Sequence, residues 1–344
     1  MFGIDSNVLL ILIGYFALPI LLFFRFSINR KEKQSLLSKE NTKSLRGFFA
    51  LLIVFHHFTQ KIENPGILLP FLTVGYLAVS FFLFSSGFGL YTSYKNKPNY
   101  LHSFLIKSIP RLYFPFVFIT MLTGIISNLL TNSNFSILKI VSYAITLRTL
   151  NSGTPLWYLV ITIYFYIAFY IILKLFSSKK SVVIAFLFAA LSYMVCMRFL
   201  GFGSWWYNTS LGFPLGVVFS MYDQELSRFA HKNYLKLLLG SSTLFIISWT
   251  LATLGYFVFP MQILSSVFFV IFILLIFLNI SLQKSICAPC GKISYEIYIT
   301  HLALLAIFMS SNNIAKNEYM IILLYFSTLV ISTVVNKILS SLIK

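Results

Sequence analysis

Arg46 and His57 are the two residues of this chain whose types and spacing most directly suggest chemistry. They bracket an apolar run that opens Leu45-Arg46-Gly47-Phe48 and closes His56-His57-Phe58. Eleven positions on an α-helix make almost three turns, so the two side chains share one face about 20° apart, with a rise of roughly 16 Å between them. A guanidinium stays charged in any surroundings. An imidazole is the side chain suited to taking up and releasing a proton near neutrality. One stripe therefore carries a fixed cation near one end of a helix and a proton acceptor near the other. His56 points about 100° away from His57. The spacing leaves a second reading open, in which the arginine snorkels to one interface and the histidine lies at the other.

Three further segments hold groups that are costly in an apolar run. Phe81 to Gly89 carries Ser85-Ser86-Gly87 in the middle of phenylalanines, either to let two helix backbones approach closely or to place the Ser86 hydroxyl in a site. Lys107 and Arg111 are four apart, on one helical face if Pro110 leaves the turn intact, and two such cations can hold phosphates or anchor anionic lipid. Ser294 to His301 reads Ser-Tyr-Glu-Ile-Tyr-Ile-Thr-His. There Ser294 is placed to cap a helix and Glu296 suits its first turn. Glu296 is also the one acid that falls within a predicted span, with Tyr298 and His301 beyond it. Intramembrane ionisable groups cost roughly 2.5–3.5 kcal/mol on insertion scales and are functional candidates for that reason.

The elements that position these groups follow from composition. Of 344 residues, 58% are apolar and 10% charged, against about 25% charged in soluble chains. A transmembrane helix takes about 20 residues, and continuous apolar runs of that length exclude a barrel of alternating strands. The chain is expected to be an all-α, polytopic transmembrane helical bundle. Spans are expected near 7–24, 46–61, 67–92, 112–131, 156–176, 181–198, 208–221, 235–257, 261–281, 295–312 and 319–337. That makes a ten-helix core plus one N-terminal helix. Residues 1–45 hold the extra helix and a basic loop, and 46–344 form the integral-membrane domain. Residues 135–150, with Lys139 and Arg148, read as an interfacial helix on the outer side, and Trp157 and Tyr158 as an outer aromatic belt.

The net charge of +18 would suggest nucleic acid in a soluble protein; in a membrane protein it sets topology. Loops on one side carry 21 Lys and Arg, those on the other five. The positive-inside rule then expects the N-terminus outside, the C-terminus in the cytoplasm, and membrane lipids rather than nucleic acid as surroundings. The first residues carry Asp5 and no basic cluster, which reads as a retained helix rather than a cleaved leader. Cys287-Ala288-Pro289-Cys290 has no second ligand pair for zinc and no βαβ setting for redox work. It reads as an ordinary loop, and nothing argues for a metal. Neither a 20–50-residue repeat nor symmetry between halves is visible, which weakens a transporter built from duplicated units.

Taken together, the four segments resemble the membrane-bound acyltransferase family 3, which O-acetylates bacterial surface glycans. Its opening block looks like Leu-Arg-Gly, an apolar run and His, with ten residues between Arg and His, as from Arg46 to His57. Phe81 to Phe88, with Ser86-Gly87-Phe88, resembles a Phe-Phe-x-x-Ser-Gly-Phe block with one residue more; a basic stretch with a following proline is matched at Arg111 to Pro115, and a closing Ser-Tyr-x-x-Tyr-x-x-His block at Ser294 to His301. Lys43 stands where many members carry Asp three residues before the Arg. The resemblance implies acetyl-CoA arriving from the cytoplasm as donor substrate, no other cofactor, and a cell-surface or lipid-linked sugar hydroxyl as acceptor. It implies His57 as base or acyl carrier and Arg46 orienting the donor or stabilising developing charge. Lys107 and Arg111 would bind the donor's phosphates, and Ser86, Glu296, Tyr298 and His301 would line the cavity. An unbroken helix excludes a direct Arg46–His57 hydrogen bond. The rival function is a glycan or lipid transporter without acyl-transfer chemistry; ion coupling would favour paired intramembrane acids, which this chain almost lacks.

Overall fold

The computed structural model describes residues 8–28, 35–131, 133–145, 156–312, 314 and 317–342. In chain order, α1 (Val8–Ile11) runs through a π-helical stretch at Leu12–Ala17 into α2 (Leu18–Phe23), followed by α3 (Lys39–Thr59), α4 (Gly75–Asn96), α5 (Phe104–Leu130), α6 (Ile137–Ile145) and α7 (Leu156–Leu175). Then come α8 (Lys179–Phe199), α9 (Gly212–Met221), α10 (Asp223–Lys232), α11 (Tyr234–Thr253), α12 (Val258–Leu278), α13 (Ala288–Lys292), α14 (Ser294–Ser310) and α15 (Met320–Leu342). A helix occupies each of the eleven expected spans, and among the described residues seven are long and apolar enough to cross a membrane. Phe188, Phe199, Leu129 and other large apolar side chains face outward, as suits a surface solvated by lipid. The fold is an all-α polytopic bundle. Of the interfacial helix expected over 135–150, α6 accounts for 137–145. Arg148 lies outside the described residues, as do Arg30, Lys31 and Lys33 of the basic loop.

Helix α3 starts seven residues before its expected span. Its first two turns, Lys39 to Ser44, are polar, so hydropathy passes them over. Ser38 caps them by accepting from the Asn41 N–H at 3.1 Å, and Glu40 sits in the first turn, where the helix dipole favours an acid. These turns are anchored to the far end of the chain. Buried Asn41 donates to the carbonyls of Ile280 at 2.7 Å and Phe277 at 3.2 Å and accepts from the Leu282 N–H at 2.8 Å. Ser44 donates to the Leu282 carbonyl at 3.0 Å. Beside them, strand β1 (Ser27–Ile28) pairs antiparallel with β2 (Ile280–Ser281).

The same end of α3 meets α13 backbone to backbone. A Cβ on Gly47 would sit 1.9 Å from the Cys287 carbonyl oxygen, and one on Gly291 would sit 1.8 Å from the Lys43 carbonyl oxygen. The Cys-Ala-Pro-Cys run thus opens a short packing helix, and its two thiols are free. Gly87 serves a second crossing, since its Cβ would meet the Phe213 carbonyl oxygen of α9 at 2.3 Å, while Gly216 faces the Phe84 carbonyl at 2.1 Å. Close approach is therefore the role of Gly87. Helix α5 continues through both Pro110 and Pro115, so Lys107 and Arg111 do share a face. Ser294 does not cap α14 as expected. The helix begins at Ser294 itself, because α13 leads into it through Ile293, and the Ser294 hydroxyl is buried without a hydrogen-bond partner.

These crossings predict opposite fates for two glycines. Gly291→Val drives a side chain into the Lys43 carbonyl and is expected to lower the melting temperature in detergent sharply, with loss of the monodisperse species on size exclusion. Gly240→Ala, in α11 with nothing within 4 Å of the added Cβ, is expected to be neutral or to stabilise by up to about 1 kcal/mol.

Candidate functional site

One cavity opens at each end of the Arg46–His57 stripe. Helix α3 is unbroken from Lys39 to Thr59, so the two residues are held at roughly the 16 Å that helical rise dictates.

The cavity at the His57 end has a volume of about 350 Å³. His56, His57 and Gln60 from α3, Trp157 from α7, Trp205 and Asn208 from the turn before α9, Gln262 from α12 and Tyr298 from α14 line it. Its described lining contains no Asp, Glu, Lys or Arg. The Gln60 side chain lies between the two imidazoles. Its Oε1 is 3.0 Å from His57 Nδ1, and its Nε2 is 3.2 Å from His56 Nε2 and 3.4 Å from the Leu72 carbonyl oxygen. His56 Nδ1 reaches the Phe71 carbonyl oxygen at 2.7 Å. The His56 ring fills the place of a side chain at Gly75, whose Cβ would lie 2.4 Å from His56 Nε2. His301 is fully buried and stacks on His57 with ring centroids 5.3 Å apart. Across the cavity Asn208 donates to the Gln262 amide oxygen at 3.1 Å, and its own Oδ1 is buried and unpartnered. A second cavity of about 510 Å³ touches the far side of His57, between Lys61 and the Leu302, Leu305 and Met309 face of α14.

The cavity at the Arg46 end measures about 500 Å³. Lys39, Lys43 and Arg46 all line it, spaced by four and three along α3, with Ser85, Thr92 and Ser93 of α4 opposite. One acid, Asp223, joins them, and its carboxylate accepts from the Leu36 N–H at 2.8 Å. Arg46 Nε is buried without a hydrogen-bond partner. Three cations to one acid make this cavity electropositive, a setting that suits an anion. Where the family resemblance puts an Asp, Lys43 adds to that charge.

An aromatic layer lies between the two cavities. Phe82 of α4 stands one turn from both Val79, in the first lining, and Ser85, in the second. Its ring lies 6.2 Å from Tyr298 and 6.3 Å from Tyr158, which are themselves 4.6 Å apart. Tyr158 also lies within electrostatic reach of Arg46, as do Tyr166 and Glu296. Tyr158 does not join the expected aromatic belt, because it is buried in the layer; Trp157 lines the His57 cavity.

The structure brings His57, His301 and Tyr298 together and puts Arg46 in the opposite cavity. Ser86 pairs with the Tyr166 hydroxyl at 3.1 Å, and the buried Glu296 carboxylate accepts from the Asn336 amide at 2.9 Å. Of the four residues expected to line a cavity, Tyr298 does so. Ser86, Glu296 and His301 stand off the walls of the two end cavities. Lys107 and Arg111 are exposed on α5, outside both linings. Sequence reasoning passes over Gln60, Lys39 and Lys43. The signals were present: Gln60 is three residues after His57 and four after His56, and Lys39-Lys43-Arg46 is a single helical stripe.

Over residues 43–339 the sequence matches the family model described as an acyltransferase domain. No curated protein and no solved structure matches the chain. The matched span takes in α3 from Lys43 onward, with Arg46 and His57, and the helices that follow it as far as residue 339 in α15, and the chain accordingly belongs to the membrane-bound acyltransferase family 3 and is a membrane acyltransferase.

Proposed function

We propose that this protein is an O-acetyltransferase. It takes an acetyl group from cytoplasmic acetyl-CoA at the Arg46 end and passes it to a hydroxyl of a cell-surface or lipid-linked glycan at the His57 end. The observation that carries the reading is the pair of chemically opposite cavities at the two ends of one helix face. The phosphates of CoA suit the Lys39, Lys43 and Arg46 cluster. Lys107 and Arg111 extend the positive charge on the surface of α5. A sugar suits the other cavity, where Trp157 and Trp205 offer flat apolar faces and Gln60, Asn208 and Gln262 offer neutral amides to hydroxyls. The Lys and Arg bias supports the Arg46 end facing the cytoplasm of a bacterial inner membrane, with the N-terminus outside and the C-terminus inside.

In the reaction, His57 accepts the acceptor's hydroxyl proton as the oxygen attacks the thioester carbonyl. The new C–O bond forms, the C–S bond of the tetrahedral intermediate breaks, and the departing CoA thiolate takes the proton from the imidazolium. Arg46, about three turns away, holds the donor rather than the reacting carbonyl. The pantetheine arm spans the distance, past the Phe82, Tyr158 and Tyr298 layer.

Membranes given labelled acetyl-CoA test this. His57→Ala is expected to lower transfer of label into glycan by about 10²–10⁴-fold while the protein still inserts; unchanged labelling refutes the role. Label-independent movement of glycan across the membrane would instead mark a transporter. For the donor site, Lys39→Ala with Lys43→Ala is expected to raise KM for acetyl-CoA severalfold with kcat little changed, and more so than Lys107→Ala with Arg111→Ala. The reverse order moves the phosphates to α5.

A further inference from the structure

We propose that His56 and Gln60 are positioning residues: they form a one-way hydrogen-bond relay that holds His57 as its Nδ1–H tautomer and leaves the Nε2 lone pair free for the acceptor hydroxyl. This rests on His57 as the base of the proposed reaction and adds the groups that set its protonation.

The direction of the relay follows from its fixed end. The Phe71 carbonyl can only accept, so His56 Nδ1, 2.7 Å away, donates to it. A neutral imidazole with a proton on Nδ1 has its lone pair on Nε2. That lone pair and the Leu72 carbonyl oxygen both face Gln60 Nε2, at 3.2 and 3.4 Å. Two acceptors settle the orientation of the amide, because the flipped form would point its oxygen at both. The Gln60 Oε1 is then turned to His57 Nδ1 at 3.0 Å and can only accept. His57 Nδ1 is therefore the protonated nitrogen. The other tautomer would set a ring lone pair against an amide lone pair, with no donor between them.

The surroundings keep the relay in place. Gly75 leaves the space that the His56 ring fills, where any Cβ would lie 2.4 Å from Nε2. His301 obeys the same logic: its Nδ1 faces the Ile297 carbonyl at 3.0 Å, so its buried, unpartnered Nε2 also carries a lone pair and offers His57 no proton. The titratable and charged groups that act on His57 are His56 and Lys61 on its own segment and His301 from α14; Tyr298 packs on His301 from the same helix. None of them is a carboxylate. Gln60 thus does without charge what an Asp does for a His in a hydrolase triad: it selects the tautomer and aims the ring. The imidazolium formed in the reaction has no acid beside it to retain the proton, which favours its return to the leaving thiolate.

The tautomer can be read without turnover. In ¹⁵N-histidine-labelled protein in lipid bilayers, solid-state NMR of the wild type minus His57→Ala isolates the His57 ring. The expected ring is protonated at Nδ1 and bare at Nε2. In Gln60→Leu both tautomers should appear, with acetyl transfer falling about 10- to 100-fold through kcat at unchanged KM for the donor. Gln60 is exposed at the end of α3, so truncating it leaves the packing intact. Gln60→Glu should restore most of kcat and move the acid limb of its pH profile upward, because a carboxylate accepting from Nδ1–H makes the ring more basic. His56→Phe, which keeps the ring but removes both nitrogens, should fall between. An Nε2–H ring in the wild type overturns the proposal, as does Gln60→Leu with wild-type kcat and pH profile. Since the NMR needs no acceptor, failure of the acetyl-transfer reading and failure of the relay give different results.

Discussion

An unbroken helix pairs its own backbone N–H and C=O groups, which spares a membrane segment the cost of bare polar groups where water is scarce. For α3 this is the governing constraint. It keeps Arg46 and His57 on one face and keeps them about three turns apart. A compact centre containing both is impossible, and a separate cavity lies at each end instead. Each end is then solved with different chemistry. At the Arg46 end the helix extends two polar turns past its apolar run and collects lysines. At the His57 end it stops at Gln60, the residue that organises the histidines.

The Arg46 end depends on packing that tolerates no slack. Asn41 and Ser44 tie the first turns of α3 to the backbone around Leu282, and Gly47 and Gly291 let α3 and α13 touch carbonyl to Cα. In water such bonds compete with solvent; here a lost partner leaves a buried polar atom bare, which makes loss costlier than gain is favourable. The same asymmetry applies to Glu296. Its carboxylate is held by Asn336 of α15 while Arg46 lies within electrostatic reach but in another cavity. The one acid expected inside the membrane is thus a tether between α14 and α15.

Much of this was legible in the residues. Apolar runs marked a helix at every expected span, and the arithmetic of 3.6 residues per turn put Arg46 and His57 on one stripe. Hydropathy failed at Lys39 to Ser44, because a window that seeks apolar residues ends a helix where it turns polar. It also merged Gly66–Leu72, a 3₁₀ stretch containing Pro70, with α4 into one span. Helical-wheel angles describe Cα directions and not side-chain reach. They set His56 apart from His57, yet the ring centroids are 4.6 Å apart because Gln60 bridges them. Tyr158, read as an interfacial anchor, is instead buried beside Tyr298, since only the tertiary fold decides which side of α7 meets the core. Lys107 and Arg111 drew notice as an adjacent pair, but their helix turns them away from both end cavities, and Lys39 and Lys43 of α3 line the one beside Arg46.

The layer of Phe82, Tyr158 and Tyr298 bears on why a membrane acyltransferase should divide its site. A through-going polar channel from the cationic cavity to His57 would conduct protons and ions and admit water to the thioester. Edge-to-face and tilted rings fill that passage with apolar surface, while Tyr158 keeps a polar edge within reach of the Arg46 field. In the proposed reaction the donor's pantetheine arm is slender and carries amides, so it would take the place of ring contacts and find a hydroxyl partner on the way. A hydrated ion has no such exchange on offer. On this reasoning the aromatic layer is the seal between a cationic cavity and a neutral one at the two ends of a single helix.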